Sequence, residues 1–271
     1  LISYVILDNQ TDLKSCWELR KKGVGLLGKT KGKRKPIAFI EDTVVPIENL
    51  KQYVTDFKKI LDNVNLDYAI YGHVDAGCLH IRPSLDLCNE FDRKLIKQLS
   101  DDVFKLLQKH NGIMWGEHGR GFRSQFGPET FGKELFSIIE DIKTFFDPEN
   151  KLNPGKIASS KYNPTALKTT DSITKGHFDQ SIDEQLKPKY EQALNCNGNG
   201  ACFNYQTQHI MCPSYKIEWD RIHSPKGRSQ LLREWARQIS KTPPPSKMEK
   251  ILGKRTRFFN KNDFSHEVYD S

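Results

Sequence analysis

The sequence contains no run approaching the roughly 20 consecutive apolar residues that a membrane-crossing helix needs, so no transmembrane segment is expected. It has no charged-then-apolar leader, and residue 1 is Leu rather than Met. No signal peptide is therefore expected, and the chain reads as a fragment or a processed product. Glycine and proline are not in excess, at 18 and 13 of 271 residues, which excludes a collagen-like or low-complexity chain. Cysteine is sparse: Cys16, Cys78, Cys88, Cys196, Cys202 and Cys212. In a long chain without a secretion signal these are expected to be free thiols or metal and cluster ligands, in a cytoplasmic protein.

What is present is a globular composition, 37% hydrophobic and 28% charged, enough for a core. The net charge is +8. Residues 21–35 hold Lys21, Lys22, Lys29, Lys31, Lys33, Arg34 and Lys35 with no acid among them. The stretch reads as a solvated basic loop rather than a nucleic-acid site, because no nucleic-acid module accompanies it.

Leu50, Val54, Phe57 and Leu61 lie on one helical face behind Pro46. Phe91, Leu95, Leu99, Val103 and Leu107 mark a second helix, closed by Asn111 and Gly112. Phe131, Leu135, Ile138, Ile142 and Phe145 mark a third, stopped by Asp147-Pro148. Short β-like runs at 36–40, 68–74 and 79–81 lie between them. The mixture predicts an α+β fold, an antiparallel sheet flanked by helices. Residues 159–190 lose periodicity and read as a linker. Beyond them, 224–239 predicts a helix burying Leu231, Leu232, Trp235 and Ile239.

Residues 23–30 satisfy G-x-x-x-x-G-K-[ST] with Gly23, Gly28, Lys29 and Thr30, and Gly23, Gly25 and Gly28 also fit G-x-G-x-x-G. A phosphate-binding loop needs a buried strand before it and a helix after it. Here the preceding residues are polar and helix-like, and a basic run ending at Pro36 follows. Ile40-Glu41-Asp42 mimics a magnesium-binding strand but arrives too soon. A P-loop nucleotide-binding protein is thus an alternative that fails on context. A basic metal-stabilised nucleic-acid module is a second alternative.

His73 and His80 are seven apart, which on one continuous strand would put them on opposite faces. A hairpin turning at Ala76-Gly77 pairs His73 with His80, Val74 with Leu79 and Asp75 with Cys78. Opposed residues share a face about 4.5–5.5 Å apart, a ready pair of imidazoles for a divalent metal. Glu117 and His118, in a glycine-rich frame, offer a third ligand. In extended backbone their side chains diverge, so one would bind metal while the other faces substrate.

Gly72-His73…Leu79-His80, Gly116-Glu117-His118-Gly119 and Phe146-Asp147-Pro148…Asn153-Pro154-Gly155-Lys156 together resemble the C-terminal, substrate-binding half of FAD-linked 2-hydroxy-acid dehydrogenases. In this chain the hairpin turn reads Asp75-Ala76-Gly77-Cys78 where the family has Gly-Asp-Gly-Asn. The resemblance covers about residues 1–158 and implies a ferredoxin-like substrate domain. It also implies a divalent metal, zinc by preference, on His73, His80 and Glu117. His118 would be the general base, Arg20 the carboxylate-binding residue, and Asn153 a residue at the cofactor. FAD would be bound mainly by sequence outside this chain.

Cys196, Cys202 and Cys212-Pro213 resemble part of a ferredoxin-type motif, with Asn199 where a further cysteine would stand. Residues 191–271 are therefore similar to the start of a helical iron-sulfur domain. Such a domain is fused behind the flavoprotein half in the large bacterial D-2-hydroxyglutarate type. That resemblance implies oxidation of a D-2-hydroxy acid, with electrons passing through 4Fe-4S clusters to an unknown acceptor. The acceptor could draw the protein to the periphery of the inner membrane; no nucleic-acid partner is implied.

Overall fold

The computed structural model describes residues 5–28, 30–172, 177–196, 200–206, 208 and 211–241. Its first helix, α1 (Gln10–Leu27), runs straight through Gly23 and Gly25. Gly23 and Gly25 of the phosphate-loop pattern are thus in helical backbone and Gly28 is in the turn that follows, with helix rather than strand leading into it, and Lys29 lies outside the described residues. Helix α1 is amphipathic only weakly and stays largely exposed, Trp17 and Leu19 included.

The sheet is built around one long strand. Strands β1 (Lys35–Pro36), β2 (Thr43–Val44), β3 (Tyr68–His73) and β4 (Cys78–Leu85) are joined in antiparallel pairs, each of the first three to β4. The strand expected over 36–40 is confined to Lys35–Pro36 and a continuing bond from Ile37 N–H to the Pro83 carbonyl. Two-residue alternation along β4 sends Leu79, Ile81 and Leu85 into the core and Cys78, His80 and Arg82 to the other face.

Against the core face pack α2 (Ile47–Asn63) and α3 (Glu90–Lys109). Helix α2 begins after Pro46 and buries Leu50, Tyr53, Phe57 and Leu61. Helix α3 is capped by Asn89, whose side chain accepts from the Phe91 and Asp92 amides at 2.8 and 3.3 Å. It buries Leu95, Leu99, Val103 and Leu107, but Phe91, expected on that face, is exposed. The basic stretch is not wholly solvated: Arg34 grips the buried Asp92 through two nitrogens at 2.8 and 2.9 Å. Burial pushes the Asp92 carboxyl up, but the Arg34 bonds and the Asp86 amide outweigh it and hold the pKa below the ordinary value.

Helix α4 (Gly127–Phe146) departs from expectation in its packing. It stops at Asp147 as read, but Leu135, Ile138, Ile142 and Phe145 are exposed while Phe136 and Thr144 are buried. Periodicity marked the apolar stripe correctly; among the described residues nothing covers it. Gly132, at φ 73, kinks the helix near its start.

The chain divides into two units, residues 1–174 and 175–271. The segment expected as a linker is shared between them rather than free. Asn150 donates to Ser159 Oγ and the Asn163 carbonyl, both at 3.0 Å, and Thr170 N–H donates to Gln125 Oε1 at 3.0 Å. Residues 177–190 belong to the second unit, which contains α5 (Glu191–Leu194), α6 (Pro213–Glu218) and α7 (Pro225–Lys241). On α7 the most buried positions include Arg233, Glu234 and Ala236, and Leu231, Leu232, Trp235 and Ile239 are only half-buried. Arg233 and Arg237 both close on the buried Asp179. No helix among the described residues is long and apolar enough to cross a membrane.

Ile81, on the core face of β4, is fully buried in the hydrophobic core. Ile81→Ala should lower the stability of the first unit by about 2–5 kcal/mol, read as an earlier denaturation midpoint. The depressed Asp92 pKa adds stability that is present above the unfolded carboxyl range and lost as pH falls through the folded value. Asp92→Asn should therefore flatten the acid limb of the stability profile.

Candidate metal and substrate site

The histidine pair forms, but in another register. His73 pairs with Cys78, Gly72 with Leu79 and Tyr71 with His80. Residues 74–77 make the loop, a short 3-10 turn over Val74–Ala76 followed by Gly77. Four loop residues replace the two expected, which moves the pairing by two positions. A two-residue shift preserves the face, so His73 stands diagonal to His80, with ring centroids 5.8 Å apart. Gly77 is required: it sits at φ 67, and an added Cβ would meet the Val45 carbonyl oxygen at 2.1 Å.

Asp42 brings the second half of the site to this face. It is fully buried at φ 71, one residue before β2. Its Oδ2 accepts from the Gly116 and His118 amides at 3.0 Å each, and its Oδ1 from the Glu117 amide at 2.9 Å. Three successive N–H groups thus converge on one carboxylate, an anion-cradling curl of backbone. Arg123, also buried, lies 3.6 Å from Asp42 Oδ2 and donates to the Met114 and Gly119 carbonyls. Gly116 permits the approach, since an added Cβ would meet Val44 Cγ2 at 2.3 Å.

The curl changes where the side chains go. Glu117 and His118 were expected to diverge; both face the histidine pair. Glu117 Oε1 lies 2.8 Å from His80 Nε2, 3.4 Å from His73 Nε2 and 3.7 Å from His118 Nε2. His118 stacks on His80 at 5.0 Å and 12°. His80 is buried, and among the described residues its Nδ1 has no hydrogen-bond partner. Glu117 and His118 are about half exposed, so the cluster opens to solvent on one side. Arg20 from α1 reaches that side, with Nη2 3.4 Å from His73 Nδ1.

Imidazole nitrogens converging on one carboxylate oxygen suit a divalent cation of borderline softness. Asp42, His80, Glu117 and His118 each offer an atom within 4.8 Å of the others. Asp42 is poorly placed to serve, because both its oxygens already hold backbone amides. His73 falls outside that set of four, although its Nε2 lies 3.4 Å from Glu117 Oε1.

The other expected site residues are not members of this cluster. Asn153 is exposed at φ 49, in a turn whose Lys156 amide bonds its carbonyl at 3.1 Å. Cys196, Cys202 and Cys212 are free thiols in the second unit. Cys202 Sγ accepts from the Lys226 amide at 3.3 Å, and Cys212, at φ 46, directs its thiol to the His223 carbonyl at 3.6 Å. Among the described residues these sulfurs do not gather as the histidine cluster does; Asn199 lies outside them.

Asp42, Glu41, Tyr71 and Cys78 were not assigned to the site from the sequence. Alternation about His80 was the available signal for Tyr71 and Cys78. Glu41-Asp42 had been noticed only as a mimic of a nucleotidase strand. Burial, with help from the Asp42 and Glu117 charges, pushes the Cys78 thiol up to about 12.

Residues 2–157 match the FAD linked oxidases, C-terminal domain, and the chain belongs to that family. Over its full length it is 44% identical to a D-2-hydroxyglutarate dehydrogenase of Pantoea ananatis and 43% identical to one of Escherichia coli, covering 28% of each. It is also 28% identical to the glycolate oxidase subunit GlcD of Bacillus subtilis, over 45% of this chain and 26% of that protein. The chain therefore spans little more than a quarter of these relatives.

Two outcomes test this geometry. Asp42→Asn should cost about 3 kcal/mol by weakening charge-assisted bonds, and hydrogen exchange should speed up at the amides of Gly116, Glu117 and His118 before those of β4. Alkylation near pH 8 should modify exposed Cys16 and leave Cys78 intact in the folded chain, as peptide mass mapping would show.

Proposed function

We propose that this chain is the substrate-binding portion of a flavin-dependent dehydrogenase acting on a D-2-hydroxy acid. The best candidate is D-2-hydroxyglutarate, oxidised to 2-oxoglutarate. The observation that carries the reading is Glu117 Oε1 set 2.8 and 3.4 Å from the Nε2 atoms of His80 and His73, with Arg20 at the open side. The names of the relatives matched along the whole chain support it.

His73, His80 and Glu117 would hold the metal, zinc by preference. When bound, a divalent cation makes a ligated hydroxyl more acidic, and the flavin supplies a two-electron acceptor. The rest falls to this chain's own groups. Arg20 pairs with the substrate carboxylate, a planar match between guanidinium and carboxylate. His118, stacked on His80 and open to solvent, accepts the hydroxyl proton. Asp42 keeps Glu117 and His118 within reach of the pair. FAD would be held mainly outside this chain, with Asn153 at its edge.

Cys196, Cys202 and Cys212 are three of the four thiolates a 4Fe-4S cluster takes. They would hold a cluster only if brought together and completed from elsewhere, and would then carry electrons in the complete protein. The reading carries with it a small-molecule hydroxy acid, an acceptor of unidentified kind and a cytoplasmic location, peripheral to the inner membrane through that acceptor, with no nucleic-acid partner.

The test uses the full-length flavoprotein. D-2-hydroxyglutarate should bleach the flavin absorbance faster than D-lactate, and His73→Ala should lower metal affinity more than about tenfold. No bleaching by either acid would refute the activity. Metal content unchanged in His73→Ala would remove that residue from the ligand set.

A further inference from the structure

Trp17 is an indole that neither the core nor the proposed chemistry uses. It stands 51% exposed on α1, and among the described residues it pairs with no other aromatic ring. Arg20 follows three residues later, and on a helix residues i and i+3 are surface neighbours. Long helical side chains lean back towards the N-terminus. The Arg20 guanidinium accordingly lies over the Trp17 ring, with Cζ 5.4 Å from its centroid. From there Nη2 comes to 3.4 Å from His73 Nδ1.

A guanidinium can be held by its edge or by its face. Its five N–H donors lie in the plane, so a carboxylate takes the edge, whereas an aromatic ring attracts the cation through the face. Arg34 spends edge donors on Asp92, Arg82 spends them on Glu41, and Arg123 gives its own to the Met114 and Gly119 carbonyls. Arg20 meets no carboxylate among the described residues; its edge contact is the one with His73. The indole thus restrains the cation while leaving the edge to an anion that arrives from solvent.

We infer that Trp17 is a positioning residue for Arg20, holding the guanidinium by its face so that its edge is ready for the substrate carboxylate. The inference rests on the carboxylate-binding role proposed for Arg20. Helix α1 is exposed along nearly its whole length, so no packed wall confines the Arg20 side chain. An arginine has several rotatable bonds, and freezing them only when substrate arrives costs affinity. The ring restrains them beforehand. It also takes water off one face of the cation, which strengthens the bonds left at the edge.

Substrate binding should register this restraint and the chemical step should not. Trp17 lies outside the core cluster, so its variants should fold. In the full-length flavoprotein, Trp17→Leu keeps apolar bulk without a π face. It should raise KM for D-2-hydroxyglutarate about three- to tenfold, with kcat within about twofold. Trp17→Phe, with a smaller ring, should recover part of the loss. A residue that acts through Arg20 has no effect to add once that guanidinium is gone. In an Arg20→Lys background, whose ammonium has no flat face, Trp17→Leu should change kcat/KM by less than about twofold. In this 271-residue chain, the Arg20 Cδ protons should be shifted upfield by the indole ring current and lose that shift in Trp17→Leu. An unchanged KM in Trp17→Leu, its full effect in the Arg20→Lys background, or Arg20 protons without the ring-current shift would overturn the inference. A wild-type protein that leaves its flavin oxidised would refute the functional reading instead, and the Arg20 proton shifts would still decide whether Trp17 holds the guanidinium.

Discussion

The cluster depends on one buried carboxylate. Asp42 takes three consecutive amides of residues 116–118 on its two oxygens, and that curl is what turns Glu117 towards the hairpin histidines. Its left-handed backbone is what swings the carboxylate back under the loop. Asp adopts that conformation more readily than most residues, because its short polar side chain bonds locally. A charge buried this completely is tolerated only when fully bonded. Asp42 meets that condition with the amides, with Arg123 at 3.6 Å, and with the Cys78 thiol at 3.6 Å.

Much of this was legible in the sequence, for reasons that differ by element. Helices α2 and α3 could be read because their buried residues recur at helical spacing against a single sheet face. The extent of α4 was equally legible, but not the fate of its apolar stripe. Periodicity reports that a face is apolar; it cannot report whether a partner is present. The hairpin was read two residues out of register because Gly77 closes a four-residue loop rather than a two-residue turn. Period two in strands forgave that error, and His73 and His80 still share a face. The divergence expected of Glu117 and His118 failed for a local reason: it assumed extended backbone, and the amides curl about Asp42. Contacts between Asp42 and residues 74 to 76 positions later in the chain cannot be read from sequence spacing alone.

The second unit is organised by charge as much as by apolar packing. Asp179 lies between Arg233 and Arg237, and Arg237 also meets Glu234 at 3.1 Å. The helical face of α7 that periodicity marked as apolar is only half-buried. Burial also holds the Tyr215 hydroxyl above its ordinary pKa, with a bond to the Asn204 carbonyl acting the other way and the nearby cysteines adding to the rise. The thiols here thus sit beside a desolvated phenol rather than in open solvent.

Anomalous diffraction from crystals grown with zinc tests the central claim most directly. The account predicts one peak about 2.0–2.2 Å from His73 Nε2, His80 Nε2 and a Glu117 oxygen, with the three amides still on Asp42. A peak ligated by Asp42, with those amides released, would contradict it, as would histidine rings turned away from any bound metal.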